Sequence, residues 1–217
     1  LPSFPTRRSS DLIDLAPAAI ERMMERTGFG FMFAPAFHPA TRHAMPARRR
    51  IRGKTLFNIL GPLSNPAGAG RQLLGVYEKR LLGLVSEALV KLGTERSLVV
   101  HAECGMDEIS VTGPTHAVEV AGGVVRSFTL TPEEFGIRKA PLEAIRAATR
   151  ERSVQMALDV LRGADGPAAD FVCLNAGAAL YVAGSVASIG AGVGAAKAAL
   201  VDGRAMMKLE EIKAFRS

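Results

Sequence analysis

Asp107 and Glu108 stand side by side in the stretch ECGMDE, residues 103–108, directly after the apolar run SLVVHA. A loop can aim two adjacent carboxylates into one cleft, where they suit Mg²⁺, an ion that takes one or two carboxylates and fills its shell with water and substrate phosphates. The same pair also reads as a solvated turn or the N-cap of a helix. A second concentration of charge lies upstream. Between Thr27 and Tyr77 there is no acidic residue, while Arg42, Arg48, Arg49, Arg50, Arg52, Lys54 and Arg71 are basic. A guanidinium grips a carboxylate or phosphate through two parallel hydrogen bonds. Three consecutive arginines cannot share one helix face, so one or two of Arg48 to Arg50 at most would enter a site, and a solvated face is the alternative. The net charge of +6 belongs to this segment, because the rest of the chain is close to neutral.

The remaining reactive side chains offer less. His38 precedes Pro39 at a turn and reads as a structural hydrogen-bonder. His43, His101 and His116 show no zinc-ligand spacing with one another or with Cys104 and Cys173. Cys104 has no evident base beside it, and Cys173 lies in an apolar run that reads as core. Two cysteines without a secretory leader point to free thiols in a reducing compartment, hence a cytoplasmic location. No apolar run approaches the roughly 20 residues that cross a bilayer, so no membrane partner is expected.

The elements that must position these residues follow from pattern. The chain has 217 residues, 48% of them hydrophobic, enough for one sizeable core. Residues 1–12, LPSFPTRRSSDL, carry no periodicity and read as a tail, leaving 13–217 as the folded part. PAAIERMMERTG reads as a helix stopped by Gly28, FGFMFAP as a strand, and GPLSNPAGAG as a loop of turn residues. RQLLGVY and SLVVHA read as strands around an amphipathic helix closed by Gly93. Residues 109–130 read as a β region, PLEAIRAATRERSVQMALDVLRG as helical, DFVCLNA as a buried strand, and the remainder as Ala-rich helices. Strands alternating with helices predict an α/β domain with a largely parallel sheet flanked by helices. In such sheets ligands gather beyond the carboxyl ends of the strands, which favours the basic segment and the ECGMDE loop.

Five stretches, FGFMFAPAFHPATRHAMPARR, KTLFNILGPLSNPAG, LVVHAECGMDEIS, LNAGAALYVAG and GRAMMKLEEI, occur in an order and at separations that resemble the anthranilate phosphoribosyltransferase family. The resemblance runs from about Ile13 to the C-terminus. It implies transfer of phosphoribosyl from phosphoribosyl pyrophosphate to the amine of anthranilate, with release of pyrophosphate, in tryptophan biosynthesis. It also implies a requirement for Mg²⁺, a small helical domain beside a larger α/β domain, and a homodimer for the full-length enzyme. By position, Arg48 corresponds to the arginine that holds the anthranilate carboxylate, and His38 to the histidine lining the anthranilate channel. Gly61 falls in the loop beside that channel, where it allows close approach, and Asp107 and Glu108 correspond to the Mg²⁺-binding pair. No general base is implied, since an aromatic amine is already nucleophilic and positioning matters more.

Thr41, Arg52 and Ala102 depart from the family's usual residues, and Thr41 bears on the channel wall. The family's N-terminal helical domain, its GTGGD phosphate loop and its pyrophosphate segment are not in this chain. The resemblance therefore implies a C-terminal fragment, expected neither to bind phosphoribosyl pyrophosphate nor to turn over by itself. Two other functions compete. A pyrimidine nucleoside phosphorylase shares the architecture but fits HPATRHAMPARR and FNILGPLSNP less well. A basic nucleic-acid-binding module has the local charge but only Phe37 and Phe57 as interleaved aromatics, so no nucleic-acid partner is expected.

Overall fold

The computed structural model describes residues 12–37 and 57–215. They fall into two compact units, one drawing on the described residues up to Gly61 and from Met207 onward, the other running from Pro62 to Met206.

In the first unit helix α1, Pro17–Thr27, starts with proline at its first turn and ends at Gly28, whose φ of 69° lets its N–H reach the Met24 carbonyl at 2.8 Å. Ile20 and Met23 form its buried stripe. The C-terminal helix is tied to it: Lys208 Nζ donates to the Thr27 carbonyl at 2.8 Å, and the Arg26 guanidinium lies 5.7 Å from the centre of the Phe215 ring. FGFMFAP does not form the expected strand. Residues 29–33 are irregular and a one-turn helix, α2, follows at Ala34–Phe37. The Phe29 N–H is taken by Thr27 Oγ1 at 3.2 Å, which turns that backbone donor inward to its own loop rather than to a ladder. Helix α3, Phe57–Leu63, carries Gly61 and Pro62 in its last turn, so the expected loop GPLSNPAGAG begins only after Leu63.

The second unit holds the sheet. Its strands are β1 (Arg71–Gly75), β2 (Arg96–Ala102), β3 (Thr115–Ala121) and β4 (Val124–Leu130), in the order β1-β2-β3-β4. The α/β class is as expected, and the sheet is mixed: β1 and β2 are parallel, while β2–β3 and β3–β4 are antiparallel. Gly122 and Gly123, at φ 54° and 80°, supply the two left-handed positions of the tight turn that makes β3–β4 a hairpin. The parallel pair is joined by helix α4, Leu81–Lys91, which packs on β2 and β3. β2 sends Leu98 and Val100 into the core shared with the C-terminal helices, and by alternation Val99 to the other face.

After β4 come two 3₁₀ turns, Pro132–Phe135 and Leu142–Ala144, and then helix α5, Arg150–Leu161. The helix expected across residues 141–163 is thus interrupted, because Thr149 caps α5 by accepting the Arg152 N–H at 3.1 Å. DFVCLNA is not a strand. It lies inside helix α6, Pro167–Ala183, followed by α7, Ile189–Val201, and α8, Arg204–Ala214. Burial of Ala169, Cys173, Leu174, Gly177, Ala178 and Val182 follows a helical stripe, a period the short apolar run could not reveal without its flanks.

Helices α6 and α7 cross with their backbones nearly touching. A Cβ on Gly177 would stand 2.5 Å from the Val193 nitrogen, and one on Gly192 2.2 Å from the Gly177 carbonyl oxygen. The Gly177→Ala variant should therefore lose about 1–3 kcal/mol through overpacking. Gly83→Ala, in an exposed position on α4 where a Cβ meets nothing within 4 Å, should gain about 0.5–1 kcal/mol. Urea denaturation of the two variants reads both signs, and equal shifts would contradict the close crossing.

Candidate functional site

The parallel strands β1 and β2 end at the same edge of the sheet, β1 at Gly75 beside Val100 and β2 two residues further on at Ala102. The chain leaving β2 turns at once: Gly105, at φ 89°, donates its N–H to the Ala102 carbonyl at 2.9 Å, and the Ala102 N–H returns to the Met106 carbonyl at 2.9 Å. This turn delivers Asp107 and Glu108 to the surface, both exposed, just before Ile109, Ser110 and Val111 dive into the core.

Among the contacts that hold the loop, three bear directly on the stretch around the acidic pair. On one side it rests on the end of β1, where a Cβ on Gly75 would lie 1.5 Å from the Asp107 carbonyl oxygen. On another, Asn175 of α6 accepts the Ile109 N–H at 2.9 Å, and its amide nitrogen donates to the Ile109 carbonyl at 2.8 Å and the Phe171 carbonyl at 2.9 Å. Beyond Ile109, the Ser110 N–H is accepted by the buried Thr115 Oγ1 at 3.0 Å, and Ser110 Oγ pairs with Thr112 Oγ1 at 2.9 Å. Cys104 Sγ lies 3.5 Å from Ser110 Oγ. Partial burial pushes this thiol up, but hydrogen bonds from Thr112, Ser110 and the backbone outweigh it and leave the pKa lowered.

Although Glu108 is exposed as a residue, the protein around its carboxyl partly desolvates it and pushes its pKa up, and the charge of Asp107 next to it adds to the rise. Such a pair is short of positive charge. Among the described residues no cluster of three or more His, Cys, Asp and Glu can hold a metal, so Asp107 and Glu108 are a two-carboxylate set rather than a complete protein cage. That donor set fits Mg²⁺, which keeps waters or takes substrate phosphates at its other positions.

The other sequence candidates are distributed differently. His38 and Arg48 lie outside the described residues. Gly61 lies on α3 in the first unit, where a Cβ would meet nothing within 4 Å, so no neighbour among the described residues requires a glycine there. Asp107 and Glu108 belong to the second unit. His101 is buried, its Nδ1 2.8 Å from the Val76 carbonyl, and His116 pairs with Glu103 at 3.3 Å. Both are structural ties. Of the basic segment, Arg71 alone is among the described residues. It pairs with Glu95 and donates to the Ala183 carbonyl at the end of α6. Gly75 and Asn175 were not singled out from sequence. The available signals were a glycine at a strand end and one amide in an otherwise apolar run, each of which marks a close approach or a satisfied polar contact.

Among the described residues no helix is long and apolar enough to cross a membrane. The chain is 45% identical over 203 residues to the anthranilate phosphoribosyltransferase of Nitrosomonas europaea, covering 94% of this chain and 60% of that protein. Its fold is similar to the crystal structure of the anthranilate phosphoribosyltransferase of Thermus thermophilus, with a TM-score of 0.86 and 44% identity, over 94% of this chain and 60% of that one. The Saccharomyces cerevisiae enzyme solved in complex with PRPP and Mg is similar with a TM-score of 0.83 and 25% identity, over 93% of this chain and 58% of that one. The chain thus spans about 60% of the length of these relatives. Residues 10–206 match the family model described as glycosyl transferase family, a/b domain. With that match running through the strand-end loop and the helices that hold it, the chain belongs to the glycosyl transferase family, a/b domain.

Proposed function

We propose that this chain carries the α/β portion of an anthranilate phosphoribosyltransferase. The full-length enzyme would transfer phosphoribosyl from phosphoribosyl pyrophosphate to the amine of anthranilate and release pyrophosphate. The observation that carries the reading is the exposed Asp107–Glu108 pair at the carboxyl end of β2, in a chain 45% identical to an enzyme of that name. The relative solved with PRPP and Mg supports the phosphorylated substrate and the ion. A cytoplasmic location and a homodimer of the full-length enzyme belong to the same proposal.

In this reading Asp107 and Glu108 would hold Mg²⁺, which would supply positive charge to offset the negative charge gathering on the departing pyrophosphate. Displacement at the anomeric carbon breaks the bond to the pyrophosphate oxygen and forms one to the anthranilate nitrogen, which then sheds one N–H proton to water. The work of the protein is to place that nitrogen in line, because an aromatic amine needs no strong base to attack. Arg48 pairs with the anthranilate carboxylate through two parallel hydrogen bonds, His38 lines the channel the substrate enters, and Gly61 leaves room beside it.

The Arg48→Ala variant of the full-length enzyme should raise KM for anthranilate roughly 10- to 100-fold, the loss expected for charge-assisted hydrogen bonds. KM for phosphoribosyl pyrophosphate should change little. Steady-state kinetics with each substrate varied decides this, and an unchanged KM for anthranilate would remove Arg48 from the site.

The raised pKa of Glu108 sets a pH dependence. Its carboxyl takes up a proton at a higher pH than an ordinary glutamate, so affinity for a divalent cation should fall as pH drops through that raised value. Asp107→Asn should move the Glu108 pKa down towards the ordinary range, leaving the part due to burial. Carboxyl titration by NMR on the metal-free chain measures it, and an unmoved Glu108 would show that the two charges do not interact.

A further inference from the structure

We infer that Asn175 is the positioning residue for the Asp107–Glu108 pair, its side-chain amide clamping the backbone at Ile109 while Gly75 provides the stop at Asp107. This rests on the two-carboxylate reading above.

Adjacent carboxylates repel, and a loop that brings them together needs its backbone held by something other than the ion. Ile109, the first residue after Glu108, has both its N–H and its carbonyl bonded to the same side chain, at 2.9 and 2.8 Å. Asn175 thereby supplies one acceptor and one donor in the way a neighbouring strand would, at a place where β2 has ended and no strand is paired. The orientation of its amide is determined locally. The second hydrogen of Nδ2 goes to the Phe171 carbonyl one turn earlier on α6, at 2.9 Å, which leaves Oδ1 facing the Ile109 N–H. Helix α6 is itself held, because Gly177, two residues on, is in backbone contact with α7. Two residues before Ile109, the Asp107 carbonyl occupies the space a Gly75 side chain would need. The two contacts, at Asp107 and at Ile109, thus bracket Glu108 and fix the backbone of both acidic residues from one end or the other.

The chemistry distinguishes substitutions. Asn175→Ala removes all three hydrogen bonds. Asn175→Asp keeps an acceptor for the Ile109 N–H but sets a carboxylate against the Ile109 and Phe171 carbonyls, which only accept. Val172→Ala, an exposed position on the same helix, is the control for general effects on α6.

The test is carried out on the 217-residue chain. Mn²⁺ binding is followed by electron paramagnetic resonance, exchange of the Ile109 amide by NMR, and helix content by far-UV circular dichroism. Asn175→Ala and Asn175→Asp should each weaken Mn²⁺ binding about tenfold and speed Ile109 exchange about tenfold or more at unchanged helix content, the scale of one lost buried hydrogen bond. Val172→Ala should change neither. If the wild type binds Mn²⁺ and both Asn175 variants bind equally well, or if Ile109 exchange does not respond to them, the inference is overturned while the carboxylate pair stands. If the wild type shows no binding that Asp107→Asn or Glu108→Gln abolishes, the two-carboxylate reading falls and the role of Asn175 falls with it.

Discussion

A single side-chain atom at position 75 would occupy the place of the Asp107 carbonyl, and much of the second unit is arranged around that closeness. Because β1 ends in a glycine, the loop after β2 can fold back over the strand end instead of running away from it. Ile109, Ser110 and Val111 then turn inward to the core, and Asp107 and Glu108 are left at the surface above the carboxyl ends of two parallel strands. The loop's own hydrogen bonds, from Ala102 to Met106 and from Ser110 to Thr115, are short-range and could not by themselves choose this direction.

The helices behind the sheet depend on a second close approach of the same kind. Gly177 and Gly192 let α6 and α7 touch backbone to backbone, so that Cys173, Leu174, Ala178 and Val193 pack in one continuous core with Leu98 and Val100 of β2. The carboxyl end of α6 is closed by arginines from the sheet. Arg71 donates to the Ala183 carbonyl and Arg96 to that of Tyr181, while Tyr181 Oη donates to Glu119 at 2.8 Å and Arg96 lies over the Tyr181 ring at 4.5 Å. Cations at a helix C-terminus meet the negative end of its dipole. These two arginines are therefore occupied within the fold.

Membership of the family was legible because five stretches match in wording and order, which no physical argument from charge or spacing could supply. The adjacency of Asp107 and Glu108, and their place after the strand SLVVHA, were legible too, since paired valines favour a strand and the Gly-containing acidic stretch that follows cannot continue a buried one. The same held for α1, stopped by Gly28, and for α4, stopped by Gly93, where left-handed backbone favours glycine, while the strands at 115–130 were legible only as part of a β region over residues 109–130. Local chemistry decides each of these, so local sequence displays it.

DFVCLNA and FGFMFAP were misread for one reason: a short apolar run fits a strand or a helix equally until its partner is known. The first became helical because Gly177 found Gly192 on a helix further along the chain, and the second stayed irregular because Thr27 took its first backbone donor. By itself the sequence placed two acidic residues, Asp107 and Glu108, side by side after an apolar strand, and only the family resemblance singled them out for a divalent ion. The tertiary structure alone decided what holds them, since Gly75 and Asn175 act through backbone atoms of residues distant along the chain, and a contact between distant backbones leaves no periodic trace in either stretch.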